Sequence, residues 1–285
     1  MDNNSKHVEC DNSQIYEERI VAFVDILGFK SMVDKSEESY QEQNRIMEAM
    51  DIIHGYKTMN DKFLDGGLLK LGIQITTFSD SVIISYPITY DGGIFFIMLD
   101  LIHLQIDLLR LGMFIRGGIS VGNAHHDEFN AFGPAIVKAY ELESTMAIYP
   151  RIIISEDTLI TGVKNSPSHQ NEYDLNLLLT LLKKDNDGWL YLDYLKQYEE
   201  LDYPETDYYK LLKTIRNILV DRLNVYNSKS SKIYSKYRWL LNYWNSTLCD
   251  DEFSVPIPMG LHEIARKKIL KEYCDMRITL DYPHR

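Results

Sequence analysis

The sequence has 285 residues, of which 45% are hydrophobic and 25% charged, as is typical of a globular protein in water. Its formal net charge of −12 argues against the wrapping of nucleic acid, because binding a polyanion requires a basic surface. The three cysteines, Cys10, Cys249 and Cys274, form no CxxC pair, so neither a disulfide framework nor a zinc site is predicted, and the expected location is the reducing cytoplasm.

The N-terminal residues 1–17 are polar and are predicted to be disordered, without the features of a signal peptide. The first ordered element is a strand at 20–27, inside "VAFVDILGFK". Its apolar run is typical of a strand that is buried on both faces. Asp25 interrupts this run and Gly28 ends it. Because a buried carboxylate needs a partner, Asp25 is the first candidate functional residue.

The next predicted elements are a helix and a hairpin. A polar helix at 37–59 carries an apolar stripe, and "DGG" at 65–67 is a turn. Two β-branched runs that flank "SDS" at 79–81 predict a hairpin, which Pro87 closes. The apolar stripe of the helix comprises Tyr40, Ile46, Met50 and Ile53.

Four further elements complete the first half of the chain. The apolar segment 94–111 carries five polar or charged side chains, so it predicts an amphipathic helix and not a membrane span. A strand at 113–122, a helix at 133–147 with proline in its first turn, and a strand at 150–155 follow. The order β-α-β-β-α-β-α-β predicts an α+β fold of the ferredoxin-like, split βαβ type, with an antiparallel-rich sheet and helices.

The character of the sequence changes after about residue 165, where a loop-like stretch is followed by helical patterns at 207–226 and 233–244. The expected organisation is therefore a domain at 18–165 and a mainly helical C-terminal extension at 166–285, which covers the sheet or mediates contacts. The apolar face of the first of these helices comprises Leu211, Ile215, Ile218 and Leu219.

Asp80 lies in the hairpin turn, within "TFSDSVIIS". In a split βαβ fold the end of the first strand lies beside this turn, so Asp25 and Asp80 are expected to meet. Two close carboxylates repel unless a proton or a divalent cation lies between them, and Mg²⁺ is commonly held by one or two carboxylates together with substrate phosphates. The alternative is that Asp80 caps backbone amides of the turn.

Four blocks of the chain carry a family resemblance. "VAFVDILGFK", "TFSDSVIIS", "FIRGGISVG" and "GPAIVKAYELE…PRIIIS" resemble, in order and at similar separations, the catalytic domains of class III nucleotide cyclases. The resemblance covers about 20–155. It implies a cyclase-type domain.

The resemblance also implies roles for particular residues. Asp25 and Asp80 match the two aspartates that bind two Mg²⁺ or Mn²⁺ ions in such cyclases. The backbone from Ile26 through Gly28 to Phe29 would lie against the triphosphate, and Arg116 in "FIRGGIS" matches an arginine that contacts it. The expected metal ligands are Asp25, Asp80 and the backbone of Ile26.

The base-recognition and transition-state positions depart from the family pattern. The purine-selecting lysine corresponds to Thr76 and the base-selecting aspartate to about Asn130. The asparagine and arginine that stabilise the transition state correspond to about Val137 and Glu141, neither of which can replace them. Candidate substitutes, expected instead to be surface residues, are His125, His126, Lys138 and Arg151.

Altered base-selecting residues beside intact metal aspartates also resemble the pyrimidine (uridylate and cytidylate) cyclases of bacterial antiphage signalling. Those enzymes make cyclic UMP or cyclic CMP for an effector. A small Thr76 and an amide at Asn130 suit a pyrimidine base.

Two functions remain open from the sequence. The first is a metal-dependent nucleotidyl cyclase, a phosphorus–oxygen lyase that converts a nucleoside triphosphate such as UTP or CTP to a cyclic monophosphate and pyrophosphate. Because class III sites form between two subunits, this function implies a homodimer. The alternative is a catalytically weak or inactive module that keeps the fold and binds nucleotide for regulation.

Overall fold

The computed structural model describes residues 15–63, 72–167, 171–201, 203–226, 231–248, 256 and 262–278. They form a mixed sheet with helices packed on both faces. The strands are β1 (Glu17–Ile26), β2 (Gln74–Phe78), β3 (Ser81–Pro87), β4 (Ile115–His126), β5 (Ala131–Phe132), β6 (Ile152–Ile154), β7 (Leu182–Lys184) and β8 (Leu190–Leu192). The helices are α1 (Phe29–Ser36), α2 (Tyr40–Phe63), α3 (Gly93–Arg110), α4 (Pro134–Glu141), α5 (Glu156–Lys164), α6 (Asn171–Thr180), α7 (Pro204–Val225), α8 (Lys232–Thr247) and α9 (Glu263–Cys274).

The strand order is β2-β3-β1-β4-β6-β8-β7, and β5 pairs with the end of β4. Neighbouring strands are antiparallel except for β4 and β6, which are parallel. The predicted α+β fold with an antiparallel-rich sheet is therefore confirmed. In the central strand β1, Asp25 lies opposite Ser81 on one side and Arg116 on the other. Directly paired residues point to the same face of a sheet, so these three side chains share one face.

Helix α3 packs in the core of the molecule. It was predicted to be amphipathic, but most of its circumference is buried. Its acidic side chains are tied to tyrosines: the Tyr86 hydroxyl donates a 2.5 Å hydrogen bond to Asp100, and the Tyr56 hydroxyl donates a 3.0 Å bond to Asp107. These bonds compensate the burial of polar groups on an apolar helix. Within the described ranges, no helix is both long and apolar enough to cross a lipid bilayer.

Helix α4 packs against the opposite sheet face, where a small core contains Val21, Ala135 and Ala139. Its close approach depends on Gly118 in β4: a Cβ there would lie 2.3 Å from the Cβ of Leu142 and 2.9 Å from the carbonyl oxygen of Ala139. The helix continues into a single π-helical turn, Leu142–Met146. The wider turn buries Leu142 and Glu143 side by side, which brings Glu143 towards the sheet.

The C-terminal part of the chain joins the same sheet and the same core. Strand β8 pairs with β6, and β7 pairs with β8. The predicted apolar face at 207–226 lies on α7, where Leu211, Ile215 and Leu219 are buried and Ile218 is partly buried. The parts of the chain on either side of residue 165 therefore share one sheet and one core.

Several element boundaries differ from the prediction. The first strand begins at Glu17, so the predicted disorder is wrong at residue 17, and residues 1–14 lie outside the described ranges. Helix α1 was not predicted, because it is short and Gly28 offers no side-chain cap. Tyr40 is 76% exposed and does not belong to the buried stripe of α2. The predicted turn at 65–67, together with Cys10 and Cys249, also lies outside the described ranges.

Candidate functional site

The two aspartates meet at the end of β1. The hairpin turn is fixed to this end because the backbone N–H of Ile26 donates a 3.2 Å hydrogen bond to the carbonyl oxygen of Asp80. The Asp80 side chain lies within hydrogen-bonding reach of the Asp25 carboxyl. Burial, and then the proximity of Asp80, raise the pKa of Asp25 to about 7. The pair therefore favours holding a proton or a cation between its oxygens.

Arg116 lies beside this pair and between two acidic groups. Its Nη2 is 3.6 Å from Oδ2 of Asp25, and its Nε is 2.6 Å from Oε1 of Glu143. The Nε and Oε1 atoms are buried but not aligned as a hydrogen bond, and neither has another hydrogen-bond partner in the described chain. The guanidinium is thus held electrostatically, with part of its hydrogen-bonding capacity unused.

Glu143 and Lys236 belong to the site but were not predicted. The Glu143 side chain is 4% exposed, and burial raises its pKa above the usual range. Burial, followed by repulsion from Arg116, lowers the pKa of Lys236, while Asp25 and Glu143 oppose this shift. Lys236 therefore lies close enough to interact electrostatically with both acids. It reaches the site from α8, more than 200 residues after Asp25 in the sequence.

The segment after Asp25 turns sharply into helix α1. Leu27 donates its backbone N–H to the carbonyl oxygen of Phe114 at 2.8 Å, and Gly28 has a φ of +79°. A Cβ on Gly28 would meet no atom within 4 Å, so its left-handed backbone, not crowding, requires glycine there. Helix α1 begins at Phe29, and the N–H groups of a first helical turn are suited to binding anions.

Thr76 lies on the same sheet face as Asp25. It pairs with Ile83, which pairs with Phe23 in β1. Two strand spacings and two residues along the strand separate its Cα from that of Asp25 by roughly 12 Å. His126, from the end of β4, places Nε2 2.9 Å from the Thr76 hydroxyl and Nδ1 2.7 Å from the Ser85 hydroxyl.

A chain of hydrogen bonds runs from Arg19 through Ser85 and His126 to Thr76. Arg19 donates from Nε to the Ser85 hydroxyl oxygen at 2.8 Å. Ser85 is fully buried, and its hydroxyl lies within hydrogen-bonding distance of Nδ1 of His126. The tautomer of His126 decides which atom donates in its contacts with Ser85 and Thr76. In the tautomer with the proton on Nε2, His126 donates to Thr76 and leaves the Thr76 hydroxyl proton available to a ligand.

The other predicted residues lie apart from the carboxylate pair. Asn130 is exposed in the turn between β4 and β5, where its backbone N–H donates to Asp127 at 2.7 Å. Two backbone N–H bonds in this turn lower the pKa of Asp127. Val137, Lys138 and Glu141 are exposed on α4. Within one chain, therefore, neither Asn130 nor the outer face of α4 completes the site.

Two of the expected surface residues are buried. His126 is 5% exposed and Arg151 is fully buried, so the surface interpretation was wrong for both, whereas Lys138 is exposed and His125 is partly exposed. Arg151 forms ion pairs with Asp185 and Asp187. Its guanidinium carbon lies 5.2 Å from the Tyr149 ring centroid and packs against Trp239 as well. These contacts fix loops of the C-terminal part and give Arg151 a structural role.

The carboxylate pair fits a hard divalent cation. No group of three or more His, Cys, Asp or Glu side chains suited to a metal occurs in the described part of the chain. Two adjacent carboxylates, next to an arginine whose Nε makes no hydrogen bond, nevertheless match an ion that takes its remaining ligands from phosphate oxygens and water. The residues present therefore fit Mg²⁺ or Mn²⁺ bound together with a phosphate-containing ligand.

The solved structures that are similar to this chain include two nucleotide cyclases. The catalytic core of a rhodopsin-guanylyl cyclase with converted specificity, in complex with ATPαS, is 21% identical over 52% of this chain and 82% of its own, with a TM-score of 0.37. A bacterial light-regulated adenylyl cyclase is 14% identical over 71% of this chain and 100% of its own, also with a TM-score of 0.37. No protein-family model and no curated protein matches the sequence.

Proposed function

We propose that the protein is a metal-dependent nucleotidyl cyclase, which converts a nucleoside triphosphate to a cyclic monophosphate and pyrophosphate. The carboxylate pair of Asp25 and Asp80, with Arg116 on the same sheet face, is the observation that carries this proposal. The order of the four sequence blocks supports the same conclusion. In the reaction the ribose 3′-oxygen bonds to the α-phosphorus, the bond from that phosphorus to the pyrophosphate oxygen breaks, and the hydroxyl proton passes to water.

The carboxylate oxygens of Asp25 and Asp80, with the backbone of Ile26, would hold one or two Mg²⁺ or Mn²⁺ ions. When bound, such ions supply Lewis-acid activation of the 3′-hydroxyl and neutralise phosphate charge. The chain itself positions the two carboxylates that would hold these ions. The turn at Ser79 and Asp80 is fixed to β1 by the Ile26 hydrogen bond, so the two carboxylates are aligned before any ligand arrives.

Arg116 is the group that would bind the leaving pyrophosphate. Without ligand its guanidinium rests between Asp25 and Glu143, with a buried Nε that makes no hydrogen bond. Phosphate oxygens would offer this fork the bidentate contacts that the two carboxylates do not provide. Glu143 would hold the guanidinium in place during turnover.

Thr76 supports a preference among bases. With the proton of His126 on Nε2, His126 would donate to the Thr76 oxygen and the Thr76 hydroxyl would donate to a bound base. A donor at this position favours a base with a carbonyl at the facing edge, such as uracil or guanine, over one with an amino group, such as cytosine or adenine. The short Thr76 side chain, in the position of a purine-selecting lysine, favours a pyrimidine. UTP is therefore the proposed substrate, with CTP the next candidate.

The proposed active form is a homodimer. Asn130, Val137 and Glu141 would approach the carboxylate pair of a second subunit. An exposed apolar patch lies around α4, and patches of this kind mark interaction surfaces. The patch comprises Phe129, Phe132, Val137 and Tyr140. A cyclic nucleotide made by such a dimer would act on a separate effector, as in antiphage signalling.

The alternative function is a nucleotide-binding module without efficient turnover. Val137 and Glu141 favour it, because neither side chain can donate a hydrogen bond to the transition state at neutral pH. The loss of one such donor costs about 3–4 kcal/mol of transition-state stabilisation.

The discriminating experiment incubates the purified full chain with Mn²⁺ and each of the four nucleoside triphosphates, and measures pyrophosphate and cyclic product. Product from UTP that is lost in Asp25→Asn and Asp80→Asn supports the enzyme. Metal-dependent binding of a triphosphate with no product from any of the four supports the binding module.

A further inference from the structure

A cavity of about 160 Å³ lies between the start of helix α1 and the C-terminal helices α7 and α8. At about 30 Å³ per water, it has room for roughly five water molecules. Leu27, Gly28 and Phe114 line it from the side of the sheet, and Ile218 and Leu240 line it from the C-terminal helices. The C-terminal extension therefore forms one wall of a space that begins two residues after Asp25.

The side chains that line this cavity are basic. Lys35, Arg45, Arg222 and Lys236 face it, and no acidic residue does, although the chain as a whole has a net charge of −12. Arg45 pairs with Glu42 at 3.1 Å, yet its Nε is buried and makes no hydrogen bond. In the described chain, Lys35, Arg222 and Lys236 have no carboxylate within ion-pair distance. We name this space the basic cleft.

The walls of the basic cleft strengthen the attraction between its cations and a bound anion. Between the cations lie apolar and aromatic side chains, among them Met32, Phe114 and Tyr237. Such walls exclude water and lower the local dielectric, so an anion would be attracted more strongly than at an open surface. Lys35, Arg222 and Lys236, which have no carboxylate within ion-pair distance in the described chain, repel one another until an anion neutralises them.

We propose that the basic cleft receives the polyphosphate end of the substrate, and that Arg222 and Lys236 of the C-terminal helices bind it. This inference rests on the proposed function, because it is the site of Asp25 and Asp80 that gives the cleft a nucleotide substrate. It adds to that function a second set of phosphate ligands, from the part of the chain after residue 165.

The distribution of the cations favours a polyphosphate over a smaller anion. Lys35 and Arg45 line the cleft from α1 and α2, whereas Arg222 and Lys236 line it from α7 and α8. A single carboxylate or monophosphate would leave most of this charge uncompensated. A triphosphate carries several charges along its length and offers oxygens to both walls, and arginine is suited to binding them in pairs.

The test uses inorganic tripolyphosphate as the probe. It is titrated calorimetrically into the full chain without added divalent metal. We expect binding to the wild type, and binding at least tenfold weaker in Arg222→Met and in Lys236→Met. Lys210→Met serves as the matched control, since Lys210 also lies on α7 but is exposed and paired with Asp207. The control should bind as the wild type does.

Three results would overturn the inference. They are no binding of tripolyphosphate to the wild type, binding by both variants that is as tight as that of the wild type, and binding that saturating UTP does not displace. The last would make the cleft an anion site separate from the substrate. If a methionine variant melts earlier than the wild type, Arg222→Gln and Lys236→Gln replace it. Cyclic product is measured separately. If tripolyphosphate and UTP compete for binding but no product forms, the proposed cyclase activity is wrong and the proposed role of the basic cleft stands.

Discussion

Asp25 links strand burial to site chemistry. Its folded-state pKa of about 7 lies above the usual aspartate value of 3.8, so between these pH values the folded chain binds more protons than the unfolded chain. The free energy of unfolding should therefore fall as pH rises from about 4 to about 7. Asp25→Asn removes this decrease in the free energy of unfolding, so the variant should be more stable than the wild type at pH 8 by about 2–4 kcal/mol. Near pH 4 the variant and the wild type should have similar stability.

Chemical denaturation at pH 4, 6 and 8 measures this difference. Asp107→Asn is the control, since Asp107 is paired with Arg110 and Tyr56 and lies away from the site. An Asp25→Asn variant that is less stable than the wild type at pH 8 would show that Asp25 is a structural cap.

Arg116 is predicted to serve both stability and binding. Arg116→Ala removes the cation between Asp25 and Glu143, so it should destabilise the fold by about 2–3 kcal/mol and reduce turnover by about 100-fold or more. Adding Glu143→Gln removes the uncompensated acid, and the double variant should regain stability but not activity. If activity returned with stability, the arginine would be a purely structural residue.

Thr76 is predicted to set base preference through its hydroxyl proton. Thr76→Val keeps the shape but removes the donor, so the ratio of kcat/KM for UTP over CTP should fall by roughly 10-fold, equivalent to one lost hydrogen bond of about 1.4 kcal/mol. Thr76→Ser keeps the donor and should keep the preference. A wild type that uses CTP as well as UTP would show that Thr76 does not read the base.

Gly118 allows α4 and the π-helical turn that follows it to approach the sheet. Gly118→Ala would place a Cβ 2.3 Å from that of Leu142, so the helix must move, at a cost of about 1–3 kcal/mol, and Glu143 should move away from Arg116. Gly55→Ala, within α2 and with open space around the added Cβ, should instead stabilise by up to about 1 kcal/mol. Thermal melting of both variants provides the comparison, and equal melting temperatures would contradict this packing.

The elements that could be predicted from sequence are those with strong local patterns. The β1 run, the hairpin around Asp80 and α3 have clear hydrophobic periodicity or turn residues, and the meeting of Asp25 with Asp80 follows from their order. Glu143 could not be predicted, because a π-helical turn breaks the helical periodicity that would assign it to a face. Lys236 was missed because tertiary packing alone brings α8 to the end of β1.

The apolar patch around α4 predicts self-association. Val137→Asp and Tyr140→Asp would each place a charge in the patch and should shift a dimer towards monomer in sedimentation experiments at micromolar concentration. Ile264→Asp, at another exposed apolar position, on α9, should leave the association unchanged. A wild type that is strictly monomeric, with or without Mn²⁺ and UTP, would contradict the prediction.

Because the sheet continues across residue 165, the first part of the chain depends on strands from the second part to cover its edge. Strand β6 consists of three buried isoleucines whose outer edge is paired by β8. A fragment that ended near residue 165 would expose this edge, and an unpaired apolar edge invites aggregation. We therefore expect that the chain after residue 165 cannot be removed without loss of solubility. A signal that acts on α7 or α8 would then reach Asp25 through the shared sheet and core.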